Sequence, residues 1–191
     1  MKTHAILLAG ATLFGAIGLA FAAEQPPGPP KPDPAVAALE FLAVTAHCTG
    51  TQNASDFGPA HATKATFRAR MDLNGFWLSS GYYERKTKAN PAPFHVVGFY
   101  GYDPGAKQLI WTGFDSFGGR ASETSPGLDK NQLVFTGDLL VGAMKLPFRE
   151  TYTKLDGGGV DHMSEFQGKD GAWVTLNQTT CKAAPAKPAK K

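Results

Sequence analysis

The sequence lacks the short motifs that usually identify an enzyme or a metal site. No Gly-x-Ser-x-Gly segment is present to place a serine nucleophile on a sharp turn, and no His-Glu-x-x-His segment is present to bind zinc. The histidines do not occur at the close spacing that ligands of one metal site usually have. We therefore predict neither a metal nor another cofactor.

A basic binding surface is also missing, although the formal net charge of the chain is +3. Five of the 19 basic residues are Lys2 and the four lysines after residue 181, which leaves 14 basic residues against 16 acidic ones. Proteins that bind nucleic acids carry a basic patch on their folded part. We therefore exclude nucleic acid as a partner, and no pattern in the sequence indicates an oligomeric state.

Long apolar runs are absent except for one near the N-terminus. Residues 5–21 are uncharged and apolar, follow Lys2, and end in small residues around Ala22. This arrangement is typical of a secretory signal peptide, whereas a membrane span is longer and has basic flanks. We predict that residues 1–22 are removed on export, that no transmembrane segment remains, and that the protein is periplasmic or secreted.

Cysteine is rare, since Cys48 and Cys181 are the only two in the chain. An exported protein meets an oxidising compartment, where two such residues usually form a disulfide. The pair would close a long loop and stabilise the fold by about 4 to 5 kcal/mol in the chain-entropy model. We predict a disulfide between Cys48 and Cys181.

Composition divides the rest of the chain into three parts. Residues 23–33 are rich in proline and should form an extended linker. Residues 182–191 contain mainly alanine, proline and lysine and are predicted to form a disordered tail. Residues 34–181 remain as one domain, which is long enough to bury a core of its own.

Most of this domain is predicted to be β-structure. A short helix is expected over PAVAALEFLAVTAHC, residues 34–48. Residues 64–73 then alternate between polar and apolar side chains, which indicates a half-buried strand. Asn74-Gly75 follows as a hairpin turn, and further strands and turns give about eight to ten antiparallel strands. A sandwich and an up-and-down barrel both fit. Cys48 is expected to open the first strand and Cys181 to end the last one. We favour the barrel, capped by the helix at one end, because a bond between these two residues requires the first and last strands to be neighbours.

The segment GFYGYDPGAKQLIWTGFDSFGG, residues 98–119, is predicted to form one of these hairpins. If Tyr102 pairs with Gln108, then Phe99 faces Trp111 and His95 faces Asp115. Asp103 precedes a proline in the turn, where aspartate commonly accepts hydrogen bonds from its own backbone. We therefore do not expect Asp103 and Asp115 to work as a pair of catalytic carboxylates.

The same segment resembles the signature of a bacterial family, domain-of-unknown-function family 1579. Its members have a Gly-Tyr-Asp turn, a short aromatic strand and an Asp-Ser-x-Gly step. The similarity continues more weakly into LNGFWLSSGYY and PGLDKNQLVFTG and covers roughly residues 36–180. It implies a calycin-type, lipocalin-like β-barrel with no assigned activity. The chain departs from such barrels at HCTGTQNAS, where their first strand usually carries Gly-x-Trp.

Three functions are compatible with such a barrel. We favour binding of a small apolar or lipid-like ligand in a cavity, because large aromatic and small residues share the predicted strands. The alternatives are an isomerase or cyclase in which His95 or Asp115 is the general acid or base, and a non-catalytic structural or partner-binding envelope protein. The predicted ligand-binding residues are Phe67, Met71, His95, Phe99, Trp111, Phe148, Arg149 and Tyr152.

Overall fold

A computed structural model of the protein describes residues 28–184, which consist almost entirely of β-strands with two short 3-10 helices. The predicted signal peptide and the end of the Lys-rich tail lie outside these residues. The helices span Pro34–Leu42 and Leu73–Gly75. The strands are β1 (Thr45–Gln52), β2 (His61–Asp72), β3 (Trp77–Glu84), β4 (His95–Asp103), β5 (Gln108–Asp115), β6 (Arg120–Ser125), β7 (Leu128–Asp129), β8 (Gln132–Val141), β9 (Met144–Lys154), β10 (Gly159–Gln167) and β11 (Trp173–Ala183).

The strands form a closed antiparallel barrel. Each long strand pairs with the next long strand along the chain, and β1 pairs with β11. The short β7 lies between β6 and β8 in the sequence, but β6 pairs directly with β8. Ten strands therefore close the barrel, while β7 pairs only with the start of β8. The predicted up-and-down barrel is confirmed, and the architecture is consistent with a lipocalin-like fold.

The predicted disulfide is also confirmed. Cys48 lies directly opposite Cys181 in the β1–β11 pair, with their Cα atoms 4.0 Å apart and 133 positions apart in the sequence. Both strands are longer than predicted: β1 begins at Thr45, and β11 runs through Lys182 to Ala183, so the start of the expected tail belongs to the barrel. The disulfide thus crosses the pair formed by the first and the last strand.

A 3-10 helix covers one end of the barrel, which we call the closed end. The Asp33 carboxylate accepts a hydrogen bond from the backbone N–H of Ala35 at 2.9 Å, and the helix then contacts β2, β4 and β10. Its side chains Val36, Leu39 and Leu42 are buried in the core cluster. The helix is shorter than predicted and ends at Leu42. Neither helix in residues 28–184 is long and apolar enough to span a membrane.

The β4–β5 hairpin differs by one residue from the predicted register. Asp103, not Tyr102, lies opposite Gln108, because the Asp103 carboxylate accepts hydrogen bonds from the N–H groups of Gly105 and Ala106 and thereby ends the strand. Lys107 closes the turn in the left-handed region, at φ 54°. The shift moves every pairing that the hairpin was predicted to make.

Strand β6 was not predicted from the sequence. Its residues are alternately exposed and buried, and the buried ones are Ala121, Glu123 and Ser125. A strand usually reveals itself by large apolar side chains on its inner face, and β6 has none. This strand nevertheless completes the barrel and brings a carboxyl group into its interior.

Candidate functional site

The barrel contains a cavity of about 450 Å³. It extends from the core near the closed end to the opposite end, where the loops at 53–60, 85–94 and 116–119 contribute to its wall. We call this opposite end the open end. The volume falls within the range of small-molecule sites in proteins. The aromatic residues of the wall are Phe57, Phe67, Tyr82, Phe94, Tyr100, Trp111, Phe117, Phe148 and Tyr152.

Four of the predicted ligand-binding residues line the cavity: Phe67, Trp111, Phe148 and Tyr152. They occupy inward positions of β2, β5 and β9, because side chains along a strand alternate between the two faces.

The indole of Trp111 packs flat against the inner wall of the barrel. It stacks on Tyr100 with 4.3 Å between ring centroids, and it lies against Gly98 and Gly113, where a Cβ atom would collide with the ring. The two glycines therefore provide the space in which this indole forms part of the cavity wall.

The other four predicted residues are not part of the lining. Met71 packs against the core cluster that includes the helix at the closed end. Phe99 lies on the outer surface, where 46% of it is exposed, because the register shift places it opposite Thr112 and not Trp111.

Arg149 also lies outside the cavity, since its neighbours Phe148 and Glu150 on β9 line it. Its Nε donates to Glu165 at 2.8 Å, and its guanidinium lies 4.4 Å from the ring centroid of Trp173. The guanidinium therefore has its own partners on the barrel wall and does not offer a positive charge to a ligand inside.

The predicted facing of His95 and Asp115 is wrong. Asp115 lies opposite Val96, and its carboxylate accepts hydrogen bonds from the N–H groups of Phe117 at 2.8 Å and Gly119 at 2.9 Å. His95 Nε2 lies 3.2 Å from the backbone carbonyl oxygen of Glu84. Asp115 thus shapes a loop at the open end, and the two side chains do not form an acid–base pair.

Replacing Asp115 with alanine should lower the free energy of unfolding by about 1 to 2 kcal/mol, because two backbone N–H groups lose their acceptor. An asparagine side chain at this position would keep an acceptor oxygen, so Asp115→Asn is the matched control and should cost clearly less. Urea denaturation of both variants measures the difference. Equal losses in the two would show that the carboxylate does not stabilise the loop through these bonds.

A chain of hydrogen bonds crosses the inner part of the cavity. The Tyr152 hydroxyl donates to Glu150 at 2.7 Å, so the Tyr100 hydroxyl, also 2.7 Å away, donates to Tyr152. Burial, and then the nearby Glu150 carboxylate, raises the pKa of both tyrosines well above its usual value. His162 stacks on Tyr152, and its Nε2 lies 3.4 Å from Glu150.

Glu123 is the most unusual residue of the interior. Only 2% of it is exposed, and neither carboxyl oxygen accepts a hydrogen bond from any residue in the described part of the chain. Burial, and then repulsion from Glu150, raises the pKa of Glu123 to about 10, so its carboxyl is neutral at pH 7. Trp111 lies opposite Glu123 on β5. The indole N–H of Trp111 also has no acceptor within residues 28–184.

Sequence reasoning missed both Glu123 and Glu150. The available signal was a glutamate on each of two alternating segments, RASETS and FRETYT, in phase with buried small or aromatic residues. Within residues 28–184, no group of three or more His, Cys, Asp or Glu side chains is arranged to hold a metal ion.

Comparison with known proteins adds no family to this description. No protein-family model matches the chain, and no curated protein matches it significantly. Membership of domain-of-unknown-function family 1579 stays a prediction from residues 98–119.

Proposed function

We propose that this protein binds a small, mostly apolar molecule inside its barrel. The observation that carries the proposal is the cavity of about 450 Å³, whose wall consists mainly of aromatic and aliphatic side chains. Burial of apolar ligand surface against such a wall provides the main favourable free energy. Trp111, Phe148 and Tyr152 would contact the ligand body, whereas Phe99, Arg149 and His95 would not.

The proposal includes export to an oxidising compartment. The Cys48–Cys181 disulfide supports it, because such bonds persist mainly outside the cytoplasm. We also propose that the protein belongs to domain-of-unknown-function family 1579, which the resemblance of residues 98–119 supports.

Binding can be tested with N-phenyl-1-naphthylamine, a neutral probe whose fluorescence rises in apolar surroundings. We expect saturable binding to the purified protein. Ala121 lines the cavity beside Gly113, so Ala121→Phe should weaken binding by about tenfold or more, because its ring would take the space that the probe needs. Ser122, the next residue of β6, is exposed, so Ser122→Phe is the matched control and should bind as the wild type does.

Two outcomes would contradict the proposal. One is the absence of saturable probe binding to the folded wild-type protein. The other is equal binding by Ala121→Phe and Ser122→Phe, which would place the probe on the outer surface. Ala121→Leu provides a smaller filling side chain if the phenylalanine prevents folding, and it should weaken binding less than Ala121→Phe.

A further inference from the structure

Two carboxyl groups lie inside the barrel, one in the cavity wall and one next to residues that line it. Glu150 lines the cavity from β9, and Glu123 faces the interior from β6, one inward position further from the open end than Ala121. The Glu150 carboxylate accepts from Tyr152 at 2.7 Å, whereas Glu123 has no hydrogen-bond partner among the described residues. A buried carboxyl without a partner is costly, so natural proteins rarely keep one unless something binds to it.

No lysine or arginine of the described residues balances these carboxyls, and the basic side chain beside Glu150 is the imidazole of His162. Among the residues that the structure describes, no lysine or arginine lines the cavity, and Arg149 lies on the outer face of β9. The other acidic groups of the wall, Glu84 and Asp115 at the open end, already accept hydrogen bonds from Asn90 and from backbone N–H groups. The cavity wall therefore has carboxylates and no permanent positive charge among the described residues, and Glu123 next to it has two free acceptor oxygens.

Aromatic rings surround the two carboxyls. Trp111 lies opposite Glu123, and Tyr100, Phe148 and Tyr152 complete this part of the wall. The faces of aromatic rings attract cations, and the attraction grows where water is excluded. A carboxyl pair inside an aromatic wall favours an organic cation and disfavours a fatty acid or another anion.

We propose that the ligand of this cavity is an organic amine, whose ammonium group binds against Glu123 and Glu150 and whose apolar body fills the rest of the barrel. This inference rests on the proposed ligand-binding function and specifies the ligand class. The ammonium group would donate hydrogen bonds to the two carboxyls, as charge-assisted bonds of this type are the strong ones in proteins.

Binding of the cation should release a proton. The titratable groups that interact with Glu123 are Glu150 on β9 and Tyr100 on β4, while its strand neighbours Trp111 and Gly137 do not titrate. Tyr152 and His162 contact Glu150. The neutral Glu123 carboxyl becomes ionised when the ammonium group lies beside it, and its proton passes to the solvent. The bound complex thus contains R–NH₃⁺ and two carboxylates.

The experiment compares three ligands with the same ring: tryptamine, which is a cation at pH 7, neutral 3-ethylindole and anionic indole-3-propionate. Each competes with N-phenyl-1-naphthylamine for the wild-type protein. We expect tryptamine to bind about tenfold or more tightly than either of the others. Calorimetry in buffers of different ionisation enthalpy should show release of about one proton per tryptamine bound at pH 7.

Two variants assign the effect to the carboxyls. Glu123→Gln should reduce the ratio of tryptamine to 3-ethylindole affinity by about tenfold and abolish the proton release, and Glu123→Gln/Glu150→Gln should remove the cation preference. Glu40→Gln changes an exposed glutamate and is the control. It should leave both the ratio of tryptamine to 3-ethylindole affinity and the proton release unchanged. Thermal unfolding confirms that each variant is folded.

The outcomes separate the two proposals. If the probe binds but tryptamine is no better a competitor than 3-ethylindole or indole-3-propionate, the amine inference is wrong and the binding function stands. A cation preference that persists in the double variant would equally overturn the inference. If the probe itself does not bind to the folded protein, the proposed function fails and the inference fails with it.

Discussion

Replacing Cys48 and Cys181 with alanine should lower the free energy of unfolding by about 4 to 5 kcal/mol. The bond joins residues 133 positions apart, so it closes a loop that contains nearly all of the barrel. Without the bond, the unfolded chain gains the conformational freedom of that whole loop. The native β1–β11 pairing should persist, because both strands keep their backbone hydrogen bonds along the register from Ala46 to Gln52.

Urea denaturation of the oxidised wild type and of the double-alanine variant measures this loss. The wild type that is reduced and unfolded in urea with a phosphine provides the control, because it lacks the crosslink but keeps both buried sulfur atoms. The reduced wild type should lose nearly as much stability as the variant. A loss below about 1 kcal/mol in the reduced wild type would show that the crosslink adds little to the paired strands.

Glu123→Gln should stabilise the protein by about 3 kcal/mol at pH 7. In the unfolded chain, this carboxyl has its ordinary pKa of 4.5, whereas burial and Glu150 raise the pKa in the folded protein to about 10. Above pH 4.5 the wild type must therefore take up a proton to fold, which costs about 1.4 kcal/mol per pH unit up to pH 10. Glutamine has the shape of the neutral acid and avoids this cost.

The pH dependence is the decisive part of this prediction. The stability gain of Glu123→Gln should be close to zero at pH 4, grow through pH 7, and level off above pH 10. Urea denaturation at three pH values between 4 and 8 measures it, with Glu40→Gln as the control because that residue is exposed. A gain that is the same at pH 4 and pH 7 would mean that the Glu123 carboxyl is not neutral in the folded protein.

The sequence was most informative where one physical rule acted alone. The alternation of residues 64–73 predicted a strand with one buried face, and β2 has that face. Asn74 and Gly75 predicted a tight turn, and both have positive φ, at 59° and 84°. The positions of Cys48 and Cys181 correctly predicted that the first and last strands are neighbours.

The predictions failed where two rules competed or the usual signal was absent. Both faces of the β4–β5 hairpin contain apolar residues, so alternation did not distinguish the buried Trp111 from the exposed Phe99 and Phe114. Asp103 bound its own turn and set a register one residue away from the predicted one. Strand β6 was missed because Glu123 occupies an inward position that a purely structural strand would fill with an apolar side chain.

The helix Pro34–Leu42 closes the barrel at the end opposite the loops. Leu39 and Leu42 are completely buried at the closed end, so a ligand of the proposed kind would enter and leave past the loops of the open end. A substitution in those loops that contacts the ligand only during entry or exit changes both rate constants by the same factor, because entry and exit pass through the same transition state. The loop residues Phe57 and Phe117 would then determine the residence time of the ligand. The side chains of the inner part of the cavity would determine which ligand binds.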